Sequence, residues 1–153
     1  MVKIHLYSSP LPSPFHHIAV HNWLEVDYGS DGLYRWEVWD KSSSCPTSWG
    51  HVHQNLLPSK IGMPRRFFRS SNDNVGYWDA RLEGTLTGKI AETMGTFIES
   101  NCPSYPFKDQ YHFWPGPNSN TFIQWILNSV SGHTLQLPPL SFGKNYRVPN
   151  QFN

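Results

Sequence analysis

Ser119 follows a Pro-Gly-Pro triplet by two residues, within the run Trp-Pro-Gly-Pro-Asn-Ser-Asn-Thr-Phe at residues 114–122. Two prolines and a glycine hold the chain extended up to Asn118, a residue type that favours a helix N-cap, so Ser119 falls in the first helical turn. A hydroxyl there faces unpaired backbone N–H groups and the positive end of the helix dipole, both of which favour a developing negative charge. The position suits a nucleophile, and it equally suits a serine that only begins a helix.

A serine nucleophile needs a base to take its proton and a group to orient that base. The sequence offers His17 as the base, on an expected strand over residues 16–23, and Glu37 as the orienting carboxylate, on a second strand over 33–39. His16 is the alternative base, because adjacent strand residues point to opposite faces and the inward face is open. The Ser119 backbone N–H, with Asn118 or Asn120 as side-chain donor, is the expected oxyanion site, and Trp114 is a further candidate for substrate contact.

The eight histidines also raise a metal reading. His51 and His53, one residue apart, present two imidazoles on one strand face, but spacing specifies no third ligand and there is no Cys-x-x-Cys pair. The expectation is therefore no metal and no cofactor, with a histidine-rich metal protein as a third reading.

These residues need elements to position them. The turn signal Asp-Tyr-Gly-Ser-Asp-Gly at 27–32 pairs the two strands as a hairpin. Residues 1–14 read as an edge strand or extended arm, residues 41–74 as a long loop with short strands near 51–57 and 66–68, and residues 75–86 as a further strand. Thr87 is the expected cap of a helix running to about Ser100, with Ile90, Met94, Phe97 and Ile98 forming one apolar stripe. A second helix over 119–130 buries Phe122, Trp125, Ile126 and Val130, and the tail from Leu137 packs back on the domain. Strands and two helices without βαβ alternation give an α+β class.

At 153 residues the chain is expected to form a single domain, with aromatics at 15% and charged residues at 15%. Charge well below the roughly 25% usual for soluble domains means a core built from rings. A net charge of +1 gives no electrostatic reason to bind nucleic acid. The densest basic cluster, Arg65, Arg66 and Arg69, reads as solvated surface. No apolar run approaches the ~18–20 residues of a membrane span, and no basic-then-apolar start marks an export signal, so the expected location is cytoplasmic, with Cys45 and Cys102 as free buried thiols.

His16-His17-Ile-Ala-Val, the 114–122 run, and Leu137-Pro-Pro followed by Gly143-Lys-Asn-Tyr resemble the bacterial domain-of-unknown-function family 3750, over about residues 15–147. A more distant likeness is to permuted papain-like NlpC enzymes, including lecithin:retinol acyltransferase relatives and PPPDE-type peptidases. In those an early strand carries His, a second strand a polar residue, and a late Asn-Cys-x-x-Phe opens the catalytic helix. His17-Ile-Ala-Val, Glu37 in Tyr-Arg-Trp-Glu-Val-Trp, and Asn118-Ser-Asn-Thr-Phe resemble the three elements in that order, with serine replacing cysteine.

The resemblance implies an antiparallel sheet packed against two helices. It further implies a hydrolase or acyltransferase cleaving an amide or ester bond of a small-molecule, peptide or lipid substrate through Ser119, His17 and Glu37. The alternative is a catalytically inactive relative, a binding or assembly subunit that meets a protein partner through the 41–74 loop.

Overall fold

The computed structural model describes residues 1–67 and 76–149. Among the described residues the fold is α+β, with a six-stranded sheet, a separate two-stranded sheet and two α-helices. The large sheet is antiparallel and holds β1 (Lys3–Pro10), β2 (Val20–Asp27), β3 (Leu33–Val38), β4 (Ser48–Trp49), β5 (Val52–Gln54) and β8 (Arg81–Thr87), in the spatial order β4-β5-β3-β2-β1-β8. The small sheet pairs β6 (Ile61–Pro64) with β7 (Tyr77–Asp79).

The first strand is no arm. β1 lies inside the sheet between β2 and β8. Its prolines come at or after its last position, and alternating Ile4 and Leu6 are fully buried, so nothing prevents a ladder on both sides. Ser8 and Ser9 are buried too, because Ser8 Oγ donates to Glu83 at 2.5 Å and Ser9 Oγ accepts from Met63 N at 2.9 Å.

Residues 16–23 do not form one strand either. Phe15–His17 is a single 3-10 turn, and β2 begins only at Val20. Pro12 and Pro14 flank that turn, and local bonds from Phe15 N to Pro12 O and from Ile18 and Ala19 N to Phe15 O hold it. The apolar alternation at 17–20 therefore lost to local turn bonding. The expected hairpin does form, with β2 and β3 paired from Leu24↔Trp36 to Asp27↔Leu33.

Helix α1 (Lys89–Asn101) is capped by Gly88 at φ +70°, not by Thr87, and buries Met94 and Ile98 fully. Helix α2 (Ser119–Ser129) buries Phe122, Trp125, Ile126 and, at its end, Val130, as its pattern predicts. Both helices pack on one face of the sheet against Ile4, Leu6, Leu24, Val26, Trp36 and Val38. In the expected 41–74 loop the described part carries β4, β5 and β6, while residues 68–74, including the third arginine of the basic cluster, lie outside the described residues. Cys45 is half-buried, Cys102 is buried, and both are free.

Candidate active site

Ser119 is the first residue of α2 because Asn118 caps the helix, as the sequence predicts. Asn118 Oδ1 accepts from Asn120 N at 3.0 Å and Thr121 N at 3.3 Å, and Thr121 Oγ1 in turn accepts from Asn118 N at 3.1 Å. This reciprocal cap relieves Ser119 of any capping duty. The backbone N–H of Ser119 is then the one donor of residues 119–121 that the Asn118 carboxamide does not use.

The asparagines beside Ser119 fix the turn in place. Asn120 Nδ2 donates to Val20 O at 2.9 Å and Phe142 O at 3.0 Å, and its Oδ1 accepts from Asn22 at 2.7 Å. Asn118 Nδ2 donates to Phe113 O at 3.1 Å. Both side-chain amides expected as oxyanion donors are thus engaged with the backbone of the fold. Trp114 is 68% exposed and packs its edge on Phe142 at 6.0 Å.

The imidazole on Glu37 belongs to His21. His17 sits exposed on the 3-10 turn, whereas His21, in β2, places Nε2 2.8 Å from Glu37 Oε1. His16 also lies in the turn, stacked on Trp78 at 5.5 Å. Strand alternation explains the His21 pairing: Glu25 lies opposite Arg35, so His21, Trp23 and Glu25 share a face with Arg35 and Glu37. Sequence reasoning had assigned His21 to the strand and passed over it. Its same-face spacing with Glu37, once the turn at 27–32 is taken as the hairpin centre, was the available signal.

Glu37 is completely buried and serves several donors. Arg35 grips it through Nε to Oε2 and through Nη2 to Oε1 at 2.9 Å, and Trp39 Nε1 donates to Oε1 at 2.7 Å. The guanidinium, itself fully buried, lies over the Trp23 ring at 4.1 Å and donates to the carbonyls of Pro58 and Ile61. Burial alone would raise the Glu37 pKa, but the Arg35 charge and the His21 bond outweigh it and hold the carboxyl down at about 2. An ionised carboxylate only accepts hydrogen bonds. His21 Nε2 must therefore carry the proton, which in the neutral ring leaves the lone pair on Nδ1.

His21 and Ser119 line one cavity of about 630 Å³. β2 and β3 pair from Leu24 and Trp36 onward, so His21 at the start of β2 and Val38 at the end of β3 lie beyond that ladder. Leu11, Phe15, Val38, Met63, Phe67 and Phe113 make its wall largely apolar. Tyr111 contributes a phenol whose pKa is pushed up by burial and then by the Asp40 charge, so it stays neutral. Ser119 also borders a small pocket of about 50 Å³ with Val20, Asn118, Asn120, Trp114 and Phe142.

The proposed histidine metal pair is otherwise occupied. His53 is buried, with Nδ1 2.7 Å from Ser48 Oγ and Nε2 2.8 Å from Lys41 O, while His51 Nδ1 bonds Trp39 O at 2.7 Å. Among the described residues no group of three or more His, Cys, Asp and Glu side chains could hold a metal. Nor is any helix among them long and apolar enough to cross a membrane.

The sequence matches the DUF3750 family, described as a protein of unknown function, over residues 1–146, and the chain belongs to that family. No curated protein and no solved structure matches it.

Proposed function

We propose that this member of the DUF3750 family is a serine hydrolase or acyltransferase acting on an ester or amide, with Ser119 as nucleophile, His21 as base and Glu37 as orienting carboxylate. One observation carries the reading: Ser119 lines one cavity with a histidine, His21, whose Nε2 is held by an ionised, buried carboxylate. His21 thereby takes the role that the sequence assigned to His17.

Ser119 Oγ attacks the carbonyl carbon while His21 Nδ1 takes its proton. The oxyanion forms at the start of α2, where the Ser119 N–H and the helix dipole favour negative charge. The carbon–heteroatom bond then breaks, and His21 returns the proton to the leaving alcohol or amine. Water or an acceptor hydroxyl attacks the acyl-serine with His21 again as base, which frees the product acid or new ester and restores Ser119. The 50 Å³ pocket that Ser119 also lines is large enough for a water, whose share of liquid volume is about 30 Å³.

This assignment keeps the order histidine, second-strand polar residue, nucleophile, and with it the proposed likeness to permuted papain-like enzymes. Treatment with a fluorophosphonate probe tests it, with peptide mapping of the adduct. Labelling of Ser119 in native protein, abolished by denaturation and by His21→Ala, is the expected result. A native protein that leaves Ser119 unmodified at high probe concentration refutes the reading.

Exposed rings at the cavity mouth favour a second reading, a binding or assembly subunit. Phe67 is 41% and Phe113 47% exposed, and Phe15 bridges them at 5.8 and 5.3 Å. In that case Ser119→Ala leaves partner capture intact while substitution of Phe67 abolishes it.

A further inference from the structure

The cavity beside Ser119 does not end where a small acyl group would. A second groove of about 570 Å³ is lined by Trp39, Asp40, Met63 and Phe67, all four of which also line the first. The rest of its lining is Pro12, Leu56, Leu57, Pro64 and Tyr77, with Lys41 and Arg66 as charged side chains. The two spaces thus adjoin as one slot across four shared side chains, with Ser119 and His21 lining its first, inner part and Leu56 and Leu57 lining its second, outer part.

The slot is bordered by fixed structure. Met63 and Pro64 belong to β6, and the backbone N–H of Met63 is tied to Ser9 Oγ of β1 at 2.9 Å. Val38 ends β3, and the indole N–H of Trp39, the next residue, is held by Glu37. A space lined by leucine, proline, methionine and aromatic side chains beside a nucleophile's cavity selects by chain length, because each methylene placed against them leaves water. A planar ring or a short polar acyl group would leave the outer part unused.

From this we infer that the substrate is an acyl compound with a linear aliphatic chain long enough to reach the second groove, whose carbonyl lies at Ser119 and whose chain runs past Trp39 and Met63 toward Leu56 and Leu57. The inference rests on the proposed hydrolase reading for the chemistry at the carbonyl, but not for occupancy of the slot by the chain.

Two measurements separate these parts. In the first, wild-type protein hydrolyses p-nitrophenyl butyrate, octanoate and dodecanoate below their micellar concentrations. Here kcat/KM is expected to rise by up to about fourfold per buried methylene. Leu57→Trp, confirmed as folded by its circular dichroism and Tm, is expected to lower the dodecanoate-to-butyrate ratio at least tenfold. In the second, Ser119→Ala is titrated calorimetrically with dodecanoate and butyrate, and only the longer acid binds.

Dodecanoate binding without hydrolysis of any ester supports the slot and removes the hydrolase. Hydrolysis at rates independent of chain length, with no dodecanoate binding, overturns the slot and leaves the hydrolase standing. A ratio unchanged in folded Leu57→Trp also overturns it.

Discussion

Asn22 Nδ2 and Asn120 Oδ1 meet at 2.7 Å in a buried junction between β2 and the first turn of α2. Each neighbours a proposed active-site residue: Asn22 follows His21, and Asn120 follows Ser119. One amide pair thus sets the register between the strand carrying the base and the helix carrying the nucleophile. Ser141 Oγ accepts a second bond from Asn22 Nδ2 at 2.9 Å, so the tail is locked into the same junction.

Asn120→Ala leaves the Asn22 amide with one partner fewer and the carbonyls of Val20 and Phe142 without the Asn120 donor. The expected loss is about 2–4 kcal/mol, since each buried polar group left unsatisfied costs roughly 1–3 kcal/mol. Urea unfolding measures it. In a double-mutant cycle with Asn22→Ala, non-additivity above about 0.5 kcal/mol is expected. Strict additivity would show that the junction does not couple the two elements.

Gly143 is where the tail crosses the cap of α2. Its φ is +93°, and a Cβ there would collide with the carboxamide of Asn118. Gly143→Ala must therefore displace the cap that seats Ser119, with a cost of about 1–3 kcal/mol from overpacking and a further penalty for the left-handed backbone. Activity should fall more than the loss of folded protein accounts for, which a comparison of active-site titration with folded fraction will read.

Asn118→Ala and Ser119→Ala divide structure from chemistry. The first removes the cap and should cost about 0.5–2 kcal/mol. The second removes no cap bond and should leave Tm nearly unchanged while lowering ester hydrolysis by at least about a thousandfold. Equal Tm losses with activity retained in Ser119→Ala would return Ser119 to a purely structural role.

Glu37 gives the fold an acid dependence with a defined sign. Its folded pKa, about 2, lies below its ordinary value of 4.5, so its stabilisation is complete above about 4.5 and is lost as pH falls toward about 2. Glu37→Gln removes this contribution and leaves Arg35 buried without its counter-charge. Stability near neutral pH should drop by about 3–5 kcal/mol, and the decline of Tm between pH 4.5 and 2 should be shallower than in wild type. Hydrolysis should fall by about a hundredfold or more, because a neutral amide can accept from His21 yet does not stabilise imidazolium.

Much of the helical half was legible in the sequence. Pro-Gly-Pro ahead of Asn118 fixes where α2 begins, and the spacing of Phe122, Trp125 and Ile126 fixes its buried face, because capping and amphipathic period are local properties. The turn at 27–32 likewise specifies the hairpin. The expected base, His17, lies elsewhere: alternation at 17–20 suggests a strand, but the prolines at 12 and 14 and three local turn bonds close a 3-10 turn instead.

Local signals thus settled the helix start that bears Ser119, the α+β class and the ring-rich core, since each depends on neighbours within a few positions. Only tertiary structure decided that the imidazole on Glu37 is His21, that Arg35 keeps this carboxylate ionised, and that Asn118 and Asn120 serve the scaffold. Those outcomes depend on which strand face is buried and where the ladder between two strands ends, and both arise from contacts between residues distant in the chain.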